Sequence, residues 1–340
     1  MTDGLDTAAL ARWLAARLPG DGLALSRIGG GQSNPTFRLD WGHHRLILRK
    51  KPAGPILKGA HAVEREFRVL AALHPAGLPV PRPLALEEDA GILGTPFYVM
   101  ERLEGRVIAD SSLPGLSPAD RRAVWHDAAR TLARLHAIEP AAVGLADFGR
   151  PGSYFARQLA RWTRQYAASS QPRIPELDAL IPWLQAEMPA DDGRAAITHG
   201  DFRLGNLMLH PSEPRVIGIL DWELATLGHP LADLGFFVMP WHSAPGEYGG
   251  LLGLDRAALG LPSEAGILAR YAEAARPTAA LSRFHVAFAL FRFAVIFVGI
   301  AERAQQGTAA SAEAARLAPL ARAFARRGLD LAEGRQPFPA

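Results

Sequence analysis

Between His199 and Glu223 the chain reads His199-Gly-Asp-Phe-Arg-Leu-Gly-Asn206, then two short apolar runs around Pro211-Ser-Glu-Pro214, then Asp221-Trp-Glu223. No other stretch restricts the fold as much. The apolar runs, Leu207-Met-Leu209 and Val216-Ile-Gly-Ile-Leu220, flank a proline-bounded turn, which predicts a β-hairpin that returns Asp221 beside Asn206. Two carboxylates, Asp201 and Asp221, and one amide, Asn206, then make one site from distant residues. Such a set suits phosphoryl transfer from a metal-bound nucleotide: a base must take the proton of the attacking hydroxyl, and oxygen ligands must hold Mg²⁺ against the triphosphate.

Bulk properties permit this chemistry and exclude some others. At 340 residues the chain exceeds a usual single domain, so two lobes with sizeable cores are expected. Hydrophobic residues at 49% and charged residues at 21% fit a soluble globule. With 37 basic against 34 acidic residues the net charge is only +3, and no basic run is interleaved with aromatics, so nucleic acid is not an expected partner. Zero cysteines excludes disulfides, thiolate metal sites and cysteine nucleophiles. The amino terminus, with Asp3 and Asp6, has no signal-like apolar core, and a cytoplasmic location is the expectation. Leu281 to Ile300 is apolar enough to invite a membrane reading, but Arg283, His285 and Arg292 interrupt it. A charge in mid-span costs about 2.5 to 3.5 kcal/mol, so a buried helix is expected and no membrane partner. Oligomeric state leaves no trace in the sequence.

Periodicity divides the chain. Leu10, Trp13, Leu14 and Leu18 recur at helical spacing before Pro19-Gly20. Strand-like segments follow near 23–28, 36–40 and 45–49, then a helix over 62–73 and strands again near 84–86 and 97–100. A sheet-plus-helix lobe is thus expected over 1–102, with a hinge at 101–105. Residues 106–333 read as mostly helical, at about 118–137, 152–168, 176–187, 263–275, 281–304 and 311–327, apart from the hairpin. Residues 334–340 read as a loose tail.

The pattern His-Gly-Asp, four residues, Asn, then Ile-Leu-Asp resembles the catalytic core of the aminoglycoside phosphotransferase and choline kinase-like small-molecule kinases. The resemblance runs from about Gly29 to Gly235. Gly30-Gly-Gln-Ser-Asn-Pro-Thr36 and Asp221-Trp-Glu-Leu-Ala-Thr-Leu-Gly-His-Pro230 are similar, more narrowly, to the kinase-like domains found ahead of acyl-CoA dehydrogenase modules. What the resemblance implies is an α+β, bilobal protein kinase-like fold: a small antiparallel-sheet N-lobe, a mainly helical C-lobe, and ATP in the cleft between them.

It also assigns residues. Asp201 becomes the catalytic base or orienter of the hydroxyl, and Asn206 and Asp221 the Mg²⁺ ligands. Gly30, Gly31 and Ser33, in a glycine run between two strand signals, become phosphate contacts; glycines let backbone amides approach anions, although such a run is usually just a turn. The run lacks the Gly-Lys-Ser/Thr ending of a Walker A loop. Arg49 occupies the slot of the phosphate-pairing lysine, a departure from the family pattern, with Lys50 as its competitor. Arginine can still clamp phosphate through its fork. Glu66, rather than Glu64, matches the glutamate of the following helix. The carbonyl of Glu101 and the amide of Leu103 match the groups that hold adenine. His199 reads as a brace of the loop, and Asp233 as either a second brace or a helix cap. His210 and His229 lack metal-ligand companions.

The acceptor is the least legible part. Arg157, Arg161 and Arg164 form a basic stripe at helical spacing, either a solvated face or an anion contact. An ATP-dependent phosphotransferase acting on a small-molecule hydroxyl is the reading, with a hydroxyacyl-CoA as candidate acceptor. Two alternatives stand beside it: a catalytically silent nucleotide-binding module partnering an acyl-CoA dehydrogenase, and an aminoglycoside kinase, which the lack of a dense acidic cluster disfavours.

Overall fold

A computed structural model of the chain describes residues 4–29, 34–53, 62–150, 152–276, 279–305 and 314–339. It divides into two compact units, one of residues 1–104 and 217–223, the other of residues 105–216 and 224–340.

The first unit is built on a five-stranded antiparallel sheet of order β1-β2-β3-β5-β4, from β1 (Ala24–Arg27), β2 (Thr36–Trp41), β3 (His44–Lys50), β4 (Pro83–Glu87) and β5 (Phe97–Glu101). Alternation decides which face each side chain takes. On β3, Leu46, Leu48 and Lys50 are buried on one side. There α1 (Thr7–Ala15) packs Leu10, Trp13 and Leu14 against Phe37, Leu39, Leu48, Phe97 and Val99. The opposite side takes Arg49, and the helix α2 (Val63–Leu73) buries Val63, Glu66, Val69, Leu70 and Leu73. A glutamate on that apolar stripe is the first sign that this side is chemically occupied.

The second unit is helical, with α3 (Pro118–Ala137), α4 (Tyr154–Ala168) and α5 (Pro175–Ala186) before the motif. Short strands β6 (Ala196–Thr198), β7 (Leu207–Leu209), β8 (Val216–Ile219) and β9 (Thr226–Gly228) bracket the motif. There follow α6 (Pro230–Phe237), α7 (Arg256–Leu259), α8 (Glu264–Ala272), α9 (Arg283–Gln305), α10 (Ala314–Leu317) and α11 (Leu320–Ala332). β6 pairs antiparallel with β9, Ile197 opposite Leu227. The turn between β7 and β8 is closed by the His210 N–H donating to the Arg215 carbonyl at 2.9 Å. The helix α9 is long and apolar enough to cross a membrane, but 78% of its most apolar window is buried inside the protein. Its Phe288, Phe291, Phe293 and Phe297 are core residues.

The end of the described chain differs from the expected tail. Phe338 stacks on His242 at 6.1 Å, Arg335 Nε donates to Asp330 at 2.8 Å, and Gln336 is buried. A proline-flanked aromatic found an imidazole face to cover, which composition alone does not reveal.

Candidate active site

In the first unit the site is an ion-pair cluster around Arg49. Its Nη2 donates to Asp221 Oδ1 at 2.7 Å, and its Nε lies 2.8 Å from Glu66 Oε2, off the N–H axis, so that contact is an ion pair rather than an aligned hydrogen bond. Glu223 stands 3.9 Å away. Glu66 also accepts from Asn34 Nδ2 at 2.6 Å and from the Tyr98 hydroxyl at 3.1 Å. Burial pushes the Glu66 carboxyl up, to about 7, against the opposing pull of Arg49. Burial alone would lower the Arg49 value, but Glu66, Tyr98 and Asp221 together hold it above its ordinary range, so it stays charged. Tyr98, raised by burial first and by Glu66 next, stays protonated and donates.

Lys50 does something else. It points to the α1 side, where Nζ donates to the Leu93 carbonyl at 2.9 Å. Glu64 is taken by Lys51 at 2.6 Å. Of each candidate pair, then, Arg49 and Glu66 enter the cluster while Lys50 and Glu64 do not.

Asp221 reaches this unit because the Ile219 N–H donates to the Pro79 carbonyl at 2.8 Å. Trp222 Nε1 folds back onto the Ile219 carbonyl at 3.0 Å. Between them Asp221 sits at φ +65°, in the left-handed region, which aspartate enters at less cost than most residues. At the other end of the sheet the Glu101 N–H donates to the Arg82 carbonyl at 2.9 Å and the Arg102 N–H to the Arg45 carbonyl at 3.1 Å. The chain leaves the sheet directly afterwards, at Leu103. Gly30, Gly31 and Ser33 lie outside the described residues.

In the second unit the loop after β6 is braced from below. Asp233, on α6, accepts the His199 N–H at 2.6 Å on Oδ2 and the Gly200 N–H at 2.9 Å on Oδ1. Burial alone would raise its pKa, but His136, His199 and the Gly200 amide hold it below the usual value. The cap of α6 is His229, whose Nδ1 accepts from the Leu231 N–H at 3.2 Å, so Asp233 is the brace and not the cap. Behind it, His136 lies 3.4 Å from Asp233 and 2.7 Å from the Tyr271 hydroxyl. His199 Nδ1 accepts the Asp201 N–H at 3.1 Å. Gly200 has φ +82°, and a Cβ there would come within 2.7 Å of the Leu224 carbonyl, so only glycine fits. Its own carbonyl accepts from Arg292, the cation in the middle of α9.

On this platform Asn206 Nδ2 donates to both the Asp201 carboxylate, at 2.7 Å, and the Asp201 carbonyl, at 2.9 Å. Spending the amide nitrogen on Asp201 leaves Oδ1 as the group Asn206 presents. Arg203 Nε stands 3.4 Å from Asp201 and its guanidinium lies over the Tyr248 ring at 5.3 Å. His210 Nδ1 merely accepts from the Glu213 N–H in the hairpin turn.

Magnesium needs only one or two protein oxygens beside phosphates and waters, not a dedicated cage. No group of three or more His, Asp or Glu side chains that could hold a metal ion occurs among the described residues. Asp221, whose Oδ1 is held by Arg49, and Asn206 Oδ1 are oxygen donors of the right kind.

Asn34, Tyr98, Glu223, Arg203 and Tyr248 escaped sequence reasoning. Tyr98 had a signal: it pairs with Arg49 across β3 and β5, and cross-strand partners share a face. Two members of the Arg157, Arg161 and Arg164 stripe make local contacts. Arg157 donates to the Arg150 carbonyl, Arg161 lies over Trp162, and Arg164 edges a cavity of about 360 Å³ with Leu159, Ala160 and Met188.

The chain is similar to known proteins. Acyl-CoA dehydrogenase family member 11 of Gallus gallus is 38% identical over 339 residues, covering 96% of this chain but 44% of that protein, so the chain spans under half of it. A crystal structure from Ralstonia eutropha, provisionally called an aminoglycoside phosphotransferase, is 44% identical with a TM-score of 0.88, covering 97% of this chain and 99% of the other. A thermostable mutant of aminoglycoside phosphotransferase APH(4)-Ia, solved with AMP-PNP and hygromycin B, shares the fold at 15% identity and TM-score 0.60, covering 94% and 98%. The model of the phosphotransferase enzyme family matches residues 24–284, and the chain belongs to that family.

Proposed function

We propose that this protein transfers the γ-phosphoryl group of ATP to a hydroxyl of a small molecule. The observation that carries the proposal is the Asp201–Asn206 pair on a loop held by buried Asp233. A carboxylate oriented by an amide on a fixed backbone is what a general base or hydroxyl-orienting group requires. When bound, Mg²⁺ supplies charge neutralisation to the phosphates, and Asn206 and Asp221 are its proposed protein ligands. Asp201 accepts a hydrogen bond from the acceptor hydroxyl, aims it and takes its proton. Arg49, kept charged by Glu66 and Asp221, pairs with phosphate oxygens, helped by the backbone of Gly30 and Gly31 and by Ser33. The Glu101 carbonyl and Leu103 amide hold the adenine edge. Residues 1–102 thus hold nucleotide and residues 106–333 carry the acceptor chemistry.

A hydroxyacyl-CoA is the proposed acceptor, and an acyl-CoA dehydrogenase the proposed partner, supported by the likeness to a domain of a protein bearing that enzyme's name. The test is ATP consumption over hydroxyacyl-CoAs, aminoglycosides, choline-like alcohols and sugars, with product mass read directly. A phosphorylated hydroxyacyl-CoA is expected. Phosphorylation of an aminoglycoside alone would contradict the acceptor, and no transfer to any alcohol would contradict the activity.

A further inference from the structure

Among the described residues three large apolar side chains stand exposed: Val107 at 46%, Leu224 at 42% and Tyr248 at 42%. Leu224 and Tyr248 border the loop that carries Asp201, and Val107 lies on the segment paired with β7 just after that loop. Leu224 covers Gly200, where an added Cβ would come within 2.9 Å of its side chain. Tyr248 lies under the Arg203 guanidinium. Val107 follows Arg106, whose backbone exchanges hydrogen bonds with Leu209 at 2.9 and 2.8 Å, and Ala109 reaches Gly205. Single exposed apolar residues are ordinary, but exposed apolar residues gathered beside a polar loop and the strand after it are the kind of feature that marks a binding surface.

Tyr248 is also held there at a cost. Its φ is +63°, a region that a bulky residue seldom enters. The loop around it is tied by the Ala244 N–H to Glu247 at 2.8 Å, by Gly249 to the Pro245 carbonyl and by Gly250 to the Ala244 carbonyl. Glu247 in turn takes both arms of Arg327, on α11, at 2.8 and 2.9 Å. The ring meets Phe293 and Phe297 edge-on at 5.3 and 5.6 Å. Strained backbone that the surrounding structure over-determines is a mark of a functional position. Here it fixes an aromatic ring half in water under Arg203, whose Nε stands 3.4 Å from Asp201.

We infer that Leu224, Tyr248 and Val107 form an apolar wall of the acceptor site, selecting acceptors whose hydroxyl is carried on an aliphatic chain. Tyr248 is the specificity-determining residue, and the inference rests on the phosphotransfer reading above. Charge points the same way: a cation, Arg203, stands 3.4 Å from Asp201, which works against a polycationic aminoglycoside. An alkyl segment laid on the wall leaves water at about a fourfold gain per methylene.

The experiment compares 3-hydroxybutanoyl-CoA with 3-hydroxyoctanoyl-CoA as acceptors for the wild type, Tyr248→Ala, Tyr248→Phe and Leu224→Ser, with thermal melts checking that each folds. The wild type should prefer the longer chain in kcat/KM by at least about tenfold, mostly through KM. Tyr248→Ala and Leu224→Ser should each reduce that ratio several-fold with the KM for ATP unmoved, and Tyr248→Phe should keep it. Equal kcat/KM for the two chains, or a preference that survives both Tyr248→Ala and Leu224→Ser, overturns the wall while leaving the kinase reading intact. If no acceptor is phosphorylated, the kinase reading fails by itself. Calorimetric binding of octanoyl-CoA against butanoyl-CoA then reads the wall directly: a preference lost in the variants supports it, and equal affinities overturn it.

Discussion

Arg49 and Lys50 are adjacent, both cationic, and opposite in placement, because a strand sends neighbours to opposite faces. Arg49→Ala is therefore expected to raise the KM for ATP by tenfold or more, while Lys50→Ala, which deletes a hydrogen bond to the Leu93 carbonyl, should chiefly lower the melting temperature. Steady-state kinetics beside thermal melts check the pair, and the reverse ranking would place the wrong residue at the phosphates. Glu66 makes a second prediction. Its folded value lies near 7, above the ordinary 4.5, so the folded state binds a proton that the unfolded state has already lost. The stability this contributes is complete below pH 4.5 and is lost as pH rises through about 7, on the order of 3 kcal/mol in all. Urea unfolding across that window should show wild type losing stability relative to Glu66→Gln; parallel curves would refute the assignment. That Glu66 rather than Glu64 turns inward was implied by the resemblance, and in the structure it shares the stripe of Val63, Leu70 and Leu73. Asn34 and Tyr98 as its donors were not, since neither contact is local in sequence.

At the scale of elements, the loop carrying Asp201 depends on α6 beneath it. Asp233→Asn keeps the shape but turns one acceptor into a donor facing a buried N–H, a loss of a few kcal/mol. Turnover should fall at least about a hundredfold and the melting temperature should drop, whereas wild-type kinetics in this variant would show the brace to be dispensable. The strands of the first unit and the helices α3 and α4 were readable because each keeps one periodicity or ends at clear turn residues, and α9 because its apolar run is long. The helix α6 escaped, and the reason is physical: all eight of its residues are buried, so it carries no polar face to set a period. The three residues of β6 are buried throughout and equally silent. Arg203 and Tyr248 meet through the chain's tertiary course, so neither their contact nor the strain at Tyr248 could be read from spacing.

For the molecule as a whole, the residues of the proposed reaction come from both compact units: Arg49, Glu66 and Asp221 from the first, Asp201 and Asn206 from the second. Sequence suggested a division near residue 102, but not that residues 217–223 belong with the first unit, which follows from the docking of Ile219 on Pro79. Assigning Asp221 to metal and Asp201 to the acceptor means that their loss should differ in kind. Asp221→Ala should weaken Mg²⁺-dependent nucleotide binding together with turnover. A silent nucleotide-binding module would show no turnover even before mutation. The most direct measurement is phosphate transfer to the acceptor identified by product mass, made on folded Asp201→Asn alongside Mg-ATP affinity. A fall in kcat of about 10²- to 10⁴-fold with Mg-ATP still bound is the predicted result. Transfer at the wild-type rate by that variant would contradict it.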